Sequence, residues 1–315
     1  MLPANIPIPP LELRQMVGPT EPEAFDNPSG EPVYGGFGLS LDAYESVFDF
    51  GCGCGRVARQ LLQQNPRPRR YVGIDVHKGM IDWCKQHLSP LDPNFQFFHH
   101  DVFAPGYAEG NSLQLAQPFP IQDGEVSLFI ASSVFTHLFR RQTEYYLHEL
   151  GRILKPRGAA FTSWFFFDRD SFPFLLEGPF CLFAGETMPT EAVIYDRRWF
   201  IDTVRHLGLG VRSTTLPGVA GHQWTVFLVR RNADMVDQFP LGEEAAEWLC
   251  GATLKSIATP VLPAEVIQRG KVASSDSQAV PTWPQPPALF GALAELEAMK
   301  QSWALRIGQA IVAPA

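Results

Sequence analysis

A strand that ends in three closely spaced glycines is the part of this chain best suited to bind a nucleotide. Residues 46–56 read Ser-Val-Phe-Asp-Phe-Gly-Cys-Gly-Cys-Gly-Arg. Gly51, Gly53 and Gly55 lack Cβ atoms and can adopt positive φ angles, so the backbone can pass close beneath a ligand. A helix expected to begin near Arg56 would point its N-terminal amides at that ligand. The order of strand, glycine turn and helix therefore predicts a nucleotide-binding loop.

A carboxylate follows at the distance that a nucleotide-binding βαβ unit requires. Asp75 ends a second predicted strand, 70–75, twenty residues after Gly55. In such units the acid at this point accepts hydrogen bonds from ribose hydroxyls. A dinucleotide-binding dehydrogenase has the same order, but its Gly-x-Gly-x-x-Gly motif needs a small third residue so that helix and strand can pack closely. Here Arg56 stands at that position, which argues against a dehydrogenase.

The composition predicts a globular protein that does not bind nucleic acid. The 315 residues are 45% hydrophobic and 12% aromatic, which is enough for a substantial core. The 25 basic and 33 acidic residues give a net charge of −8 without long runs of one sign, so no polyanionic partner is expected. The five cysteines are odd in number, and the chain has no basic leader and no run of 18 apolar residues. These features predict a cytoplasmic protein with reduced thiols and no membrane association.

The hydrophobic pattern alternates between strands and helices. Strands are expected at 46–50, 70–75, 95–99, 125–131, 158–166, 210–215 and 224–230, and helices at 55–64, 78–88, 140–153 and 197–207. The last two strands are joined by a short loop with Pro and Gly, so they should pair antiparallel. The pattern predicts an α/β fold with a Rossmann-like, seven-stranded, mostly parallel sheet, an antiparallel terminal hairpin and helices on both faces.

Two segments differ in composition from the predicted domain at 41–231. Residues 1–40 contain many Pro and Gly residues and predict an extended N-terminal arm that lies over the domain. Residues 167–196 form an insertion that is too long for an ordinary connection and leaves from the carboxyl edge of the sheet. Its many aromatic residues, with Tyr195, predict a lid over a flat or apolar acceptor.

After residue 231 the alternation stops, and residues 232–315 are expected to form a helical C-terminal extension. The segment 242–257 has a helical pattern. Apolar residues between Leu289 and Ile311 recur every three or four positions and form one helical stripe. We expect this stripe to pack against the body of the chain, with a homodimer contact as the alternative.

Five short motifs within residues 34–231 resemble the class I S-adenosylmethionine-dependent methyltransferases that act on small molecules. They are the glycine motif at 47–55, Gly-Ile-Asp at 73–75, His-Asp at 100–101, Ala-Ser-Ser-Val-Phe-Thr-His at 131–137 and Leu-Lys-Pro-Arg-Gly at 154–158. In the last motif Pro ends a helix and Gly permits the turn into the fifth strand. The resemblance implies S-adenosyl-L-methionine as the cofactor and methyl transfer as the reaction.

The resemblance also implies which residues bind the cofactor. They are Asp49, Gly51, Cys52, Gly53, Gly55, Asp75, Val76, Asp101, Val102 and Ser132. Asp49 and the loop backbone would hold the methionine end, and Asp75 the ribose diol. Asp101 and the amide of Val102 would meet the adenine edge, with Val76 against its face. The chemistry agrees, because carboxylates accept hydrogen bonds from hydroxyl and amino groups and an amide donates to a ring nitrogen.

Two histidines are candidates for the general base that would deprotonate a hydroxyl acceptor. His137 follows the fourth strand by six residues, in a loop expected to face the sulfonium, and an unperturbed pKa near ~6.5 suits proton removal at neutral pH. The alternative for His137 is a helix-start residue bonded to a backbone carbonyl. His222, in the loop of the terminal hairpin, is the second candidate for base or acceptor binding, with a solvated loop histidine as its alternative.

No metal is expected to take part in the reaction. A catechol-type enzyme would need carboxylates after the fourth strand, where residues 129–133 read Phe-Ile-Ala-Ser-Ser. Cys52 and Cys54 are too close together in the loop for a four-coordinate site. The sequence thus predicts metal-independent methyl transfer to an oxygen or nitrogen of a small metabolite or glycan. The alternative is a catalytically silent cofactor-binding subunit that acts through its C-terminal helix.

Overall fold

The centre of the computed structural model is a twisted β-sheet. The structure describes residues 6–107, 114–169, 181–183 and 189–250. Within them the strands are β1 (Ser46–Phe50), β2 (Arg70–Asp75), β3 (Phe95–His99), β4 (Val126–Ala131), β5 (Leu154–Phe167), β6 (Cys181–Phe183), β7 (Val193–Asp196), β8 (Leu209–Thr215) and β9 (Trp224–Arg230). The α-helices are α1 (Leu11–Gln15), α2 (Arg56–Gln63), α3 (Lys78–His87), α4 (Arg140–Ile153) and α5 (Arg197–His206).

Seven of these strands form the predicted sheet, in the order β3-β2-β1-β4-β5-β9-β8. The first five are parallel to one another. β9 is antiparallel both to β5 and to β8, with which it forms the terminal hairpin. The mostly parallel, Rossmann-like sheet with an antiparallel hairpin is therefore confirmed.

The total of nine strands differs from the predicted seven, and both additional strands come from the 167–196 insertion. The end of β5 extends beyond the sheet proper, and its residues 165–167 pair in parallel with β7. β6 then pairs antiparallel with β7. Sequence periodicity missed β6 and β7 because strands of three and four residues are too short to show an alternating pattern.

The aromatic side chains of this insertion are not all available for a lid. Tyr195 in β7 is fully buried, and its hydroxyl donates to the carbonyl oxygen of Leu138 at 2.7 Å. It therefore belongs to the core. Phe167 is buried at the end of β5, and Phe183 ends β6. Three further aromatic residues of the insertion, Phe172, Phe174 and Phe180, lie outside the described residues.

The sheet is covered by helices on both faces, as predicted. Side chains alternate along each buried strand, so neighbouring residues enter different cores. Phe48 and Phe129 face the core that α4 and α5 complete, whereas Val47 and Leu128 face the core of α2 and α3. This arrangement leaves the carboxyl ends of the parallel strands as the open edge.

The N-terminal arm packs on α2 through a buried arginine. Arg59 donates hydrogen bonds to the carbonyl oxygens of Ile6 at 3.0 Å and Phe25 at 2.8 Å, and it forms an ion pair with Asp26. Since these partners are 33 to 53 residues away in sequence, one side chain ties two separate parts of the arm to α2.

Only the first part of the C-terminal extension lies within the described residues. It contains a 3-10 helix, Glu243–Trp248, where the sequence predicts the beginning of an α-helix, and the rest of the predicted helix, 251–257, lies outside the described residues. The apolar stripe between Leu289 and Ile311, and with it the homodimer contact, lies outside. None of the helices in the described ranges has the length and apolar character needed to cross a membrane.

Candidate functional site

A cleft of about 330 Å³ opens at the carboxyl ends of β1, β2, β3 and β4. In open α/β sheets ligands bind at this edge, where the strand order reverses. Most of the residues predicted to bind a cofactor line the cleft, namely Asp49, Gly51, Cys52, Gly53, Asp75, Val76, Val102 and Ser132. The other two, Gly55 and Asp101, are not among the residues that line it.

The loop after β1 has the conformation that only glycine adopts easily. Gly51 and Gly53 have φ angles of 77° and 54°. A Cβ atom would lie 2.4 Å from the Val134 side chain at Gly51, and 2.6 Å from the Val17 side chain at Gly53. Both distances are too short for non-bonded carbon atoms, so any side chain would displace the walls of the cleft.

Asp75 ties the glycine loop to the end of β2. Its Oδ2 accepts a hydrogen bond from the amide of Gly53 at 2.8 Å, and its Oδ1 accepts one from the amide of His77 at 2.8 Å. Desolvation raises the pKa of Asp75, and these two amide hydrogen bonds oppose that shift. Each carboxylate oxygen still has a lone pair, so the group can also accept from a ligand hydroxyl.

Asp49 is a buried carboxyl group on the floor of the cleft. The hydroxyl of Tyr71 donates to its Oδ2 at 2.7 Å. Burial raises the pKa of Asp49 to about 7, even though the Tyr71 hydrogen bond and the nearby charge of Arg56 lower it. The negative charge of Asp75 adds to the increase. Near neutral pH this group is therefore poised between its two protonation states.

The end of β3 differs from the prediction. Asp101 is exposed and is not among the residues that line the cleft, and the amide of Val102 donates to the carbonyl oxygen of His100 at 2.9 Å. The His100 side chain lines the cleft instead, with Nε2 2.8 Å from the hydroxyl of Tyr146. Burial lowers the pKa of His100 to about 3, so its imidazole is neutral. Neither Asp101 nor the Val102 amide is brought to the cleft as expected.

Gly55 serves helix packing and is not part of the cleft lining. It precedes α2 with a φ angle of 81°. A Cβ atom at this position would lie 2.6 Å from Leu88 and 3.0 Å from the sulfur of Cys84. The glycine therefore lets α2 approach α3 and the segment that follows it.

His137 lines the opposite side of the cleft, at the end of the 3-10 helix Phe135–His137. Its Nδ1 lies 2.9 Å from the carbonyl oxygen of Thr190 and 3.1 Å from the hydroxyl of Tyr107. A carbonyl oxygen can only accept, so Nδ1 carries the proton and Nε2 keeps the lone pair. Burial lowers the pKa of His137, which keeps the ring neutral near pH 7.

His222 does not reach the cleft. It is exposed in the β8–β9 loop and is absent from the cleft lining. Its neighbour Gln223 accepts a hydrogen bond from the Ser133 hydroxyl at 3.0 Å. Ser133 lines the cleft and has a φ angle of 57°, unusual for a residue other than glycine. The hairpin loop is thus connected to the cleft wall by the hydrogen bond between Gln223 and Ser133. The sequence analysis did not identify Gln223.

The N-terminal arm also contributes to the cleft. Met16, Val17 and Gly18, just after α1, are among its lining residues. No sequence signal identified them, since the arm has no periodic pattern. Tyr34, further along the arm, stacks on Phe161 with ring centroids 4.2 Å apart.

The described part of the chain contains no group of three or more His, Cys, Asp or Glu side chains arranged to bind a metal. All five cysteines lie within the described residues, where they are buried and form no disulfide. Burial raises the pKa of Cys52 and of Cys84, which keeps these thiols protonated beside the glycine loop. They act as small apolar groups there.

A comparison with protein families finds a match over part of the chain. Residues 47–158 match the family model described as a methyltransferase domain. This segment contains the glycine loop, Asp75 and His137, and extends to the Lys-Pro-Arg-Gly turn. The fold is Rossmann-like. The match shows that the segment 47–158 is similar to a methyltransferase domain.

Solved structures with similar folds share little sequence with this chain. A TehB-like methyltransferase from Corynebacterium glutamicum has 18% identity and a TM-score of 0.41, covering 64% of this chain and 91% of its own. The O-methyltransferase NcsB1 from neocarzinostatin biosynthesis has 14% identity and a TM-score of 0.41, with coverage of 63% and 53%. The geranyl diphosphate C-methyltransferase from Streptomyces coelicolor has 13% identity and a TM-score of 0.40, with coverage of 59% and 73%.

Proposed function

We propose that this protein is an enzyme that transfers the methyl group of S-adenosyl-L-methionine to an oxygen or nitrogen of a small metabolite or glycan. The transfer would need no metal, and His137 would act as the general base. One observation carries the proposal: a single cleft combines the glycine loop, two carboxyl groups and a neutral histidine on the facing wall.

The residues of the cleft fit such a cofactor. When bound, it supplies an electrophilic methyl group on a sulfonium sulfur. Asp49 would accept hydrogen bonds from its ammonium group, and Asp75 from its ribose hydroxyls. Val76 and Val102 offer apolar surface to the adenine. Glycine at positions 51 and 53 lets Val134 and Val17 pack against the loop and form the walls of the cleft.

His137 has the protonation state that a base requires. The Thr190 carbonyl holds the proton on Nδ1, so Nε2 is the nitrogen that accepts the acceptor's proton. When Nε2 becomes protonated, the same carbonyl stabilises the positive charge on the ring. The lowered pKa keeps Nε2 unprotonated at neutral pH. Tyr107 lies beside the ring and adds a hydroxyl group to this wall of the cleft.

The rest of the cleft would orient the reactants and exclude water. The arm residues Met16 and Val17 cover the glycine loop, while Val134 and Leu138 line the wall near His137. Holding a nucleophile in line with the methyl group supplies much of the rate in a displacement of this kind. We extend the proposal to the whole chain: an arm at 1–40, a catalytic domain at 41–231 and a helical extension from 232.

Transfer of tritium from the methyl-labelled cofactor into a cell extract tests the proposed function. The wild-type protein should label an extractable small molecule, and His137→Ala should reduce the rate about a hundredfold or more, the usual contribution of a general base. His206→Ala is the matched control, because His206 is exposed at the end of α5, outside the cleft. Tight cofactor binding without any transfer would favour the silent binding subunit instead.

A further inference from the structure

Tyr107 brings a phenol hydroxyl group against the ring of His137. The hydroxyl oxygen lies 3.1 Å from Nδ1 of His137, and the centroids of the two rings are 4.8 Å apart. Tyr107 is half-buried, and both side chains line the cleft. Within the described part of the chain, His137 is the only hydrogen-bond partner of this hydroxyl. The group is therefore positioned to act on the protonation of His137.

The direction of this hydrogen bond follows from the other neighbour of Nδ1. The carbonyl oxygen of Thr190, 2.9 Å away, can only accept, so Nδ1 carries a proton. The oxygen of Tyr107 then accepts a share of the same proton, in a three-centre hydrogen bond. Burial raises the pKa of Tyr107, and the negative charge of Glu191 adds to the increase, so the phenol stays neutral. Two oxygen atoms thus face one N–H group, and both stabilise the ring more when it is charged.

Three separate parts of the chain fix this arrangement. After β3 the chain forms a turn in which the amide of Tyr107 donates to the carbonyl oxygen of Ala104 at 3.1 Å. The hydroxyl of Thr190 donates to the carbonyl oxygen of Pro105, in the same turn, at 3.4 Å. Thr190 lies in the 3-10 helix Pro189–Glu191 of the insertion, whereas His137 follows β4. These contacts join residues that are 30 to 85 positions apart, so the three segments hold one another in place.

We propose that Tyr107 is a positioning residue for the general base: its hydroxyl oxygen shares the Nδ1 proton of His137 and stabilises the positive charge that forms on the ring. The inference rests on the proposed function and adds a second side chain to its proton transfer. The acceptor's proton moves to Nε2 as the acceptor's oxygen or nitrogen takes the methyl group, and the bonding pair of that methyl group stays on the sulfur. Nδ1 and Tyr107 keep their own protons throughout.

Titration of the histidine rings by proton–nitrogen NMR tests this role without the reaction. We would compare the full-length wild-type protein with Tyr107→Phe and use His137→Ala to identify the signals of His137. The neutral ring should carry its proton on Nδ1 in both, because the Thr190 carbonyl remains. The pKa of His137 should be lower in Tyr107→Phe, because the charged ring loses one of its two acceptors.

The direction of this shift in pKa is diagnostic. If the hydroxyl donated to Nδ1, it would stabilise the neutral ring, and its removal would raise the pKa of His137. The other ionisable group that acts on the ring is Glu191, whose negative charge raises the pKa and is unchanged in the variant. Thermal unfolding of each variant would verify that it is folded.

The pH dependence of methyl transfer gives a second readout. In the tritium assay Tyr107→Phe should be about tenfold slower on the plateau, the effect of a lost hydrogen bond to a charged group. The acidic limb of its profile should move to lower pH together with the pKa of the base. A purely structural defect would slow the reaction equally at every pH. Tyr145→Phe is the matched control, because it removes a buried tyrosine hydroxyl from α4 outside the cleft lining and should change neither the rate nor the limb.

Three results would overturn the assignment: a neutral His137 with its proton on Nε2 in the wild type, an unchanged or raised pKa of His137 in Tyr107→Phe, or an acidic limb that does not move in this variant. The failure of the proposed function has a different signature. The wild-type protein would then transfer no methyl group, or His137→Ala would be as active as the wild type, while the NMR titration would still decide whether Tyr107 acts on His137.

Discussion

The buried carboxyl group of Asp49 makes ligand affinity depend on pH. Its pKa is raised to about 7, and the ionised form binds an ammonium group much more strongly than the protonated form does, because its hydrogen bonds are then charge-assisted. The groups that act on it are Tyr71 on β2, Arg56 on α2 and Asp75 at the end of β2, and its own charge raises the pKa of Tyr34 on the arm. A cationic ligand favours the charged form, so affinity should fall as the pH drops through 7.

The size of the effect follows from the fraction of Asp49 that is ionised. With a pKa of about 7, roughly 90% is ionised at pH 8 and roughly 10% at pH 6. If the protonated form binds the ammonium group negligibly, the affinity for S-adenosylhomocysteine should drop about tenfold between these pH values. The ligand 5′-methylthioadenosine lacks the ammonium group, so its affinity should stay nearly constant.

Calorimetric titrations at pH 6, 7 and 8 and at constant ionic strength would measure both ligands. Asp49→Asn keeps a side chain of similar shape but removes the ionisable group. This variant should bind S-adenosylhomocysteine weakly at every pH. Equal pH dependence for the two ligands would refute the reasoning, because the effect would then come from a group outside the ammonium contact. A flat profile for S-adenosylhomocysteine in the wild type would refute it as well.

Three other outcomes are expected. Gly53→Val should abolish binding of S-adenosylhomocysteine in calorimetry, because the new side chain would collide with Val17, whereas Gly36→Ala, at a site with open space, should bind normally. Asp75→Ala should weaken the binding of both S-adenosylhomocysteine and 5′-methylthioadenosine about tenfold or more, because both ligands carry the ribose diol. A loss of affinity for only one of the two ligands would contradict this role of Asp75. Adding EDTA should leave the rate of methyl transfer unchanged in the tritium assay, and a rate lost with EDTA and restored by a divalent cation would show that a metal is needed.

The parts of the site that sequence could predict depend on local chain geometry. The positive φ angles at Gly51 and Gly53 restrict these positions to glycine, so the loop is visible in the sequence itself. Asp75 is equally local, because it ends a strand that pairs in register with β1. Periodicity over five or more residues likewise located the seven main strands and the four long helices.

The parts that sequence could not predict depend on a single turn or on distant contacts. After β3 the chain turns within two residues, through the hydrogen bond from the Val102 amide to the His100 carbonyl. This turn brings His100 into the cleft and leaves Asp101 exposed. The position of the arm residue Val17 follows from long-range packing that no local pattern encodes. The same holds for the contact between Ser133 and Gln223.

A crystal structure of the protein soaked with S-adenosylhomocysteine would test the central claim most directly. The account predicts density for the ligand in the cleft, with the ribose diol on Asp75, the ammonium group on Asp49 and the sulfur facing His137. A ligand bound elsewhere on the protein, or a cleft that stays without ligand at saturating concentration, would contradict the assignment of this cleft as the cofactor site.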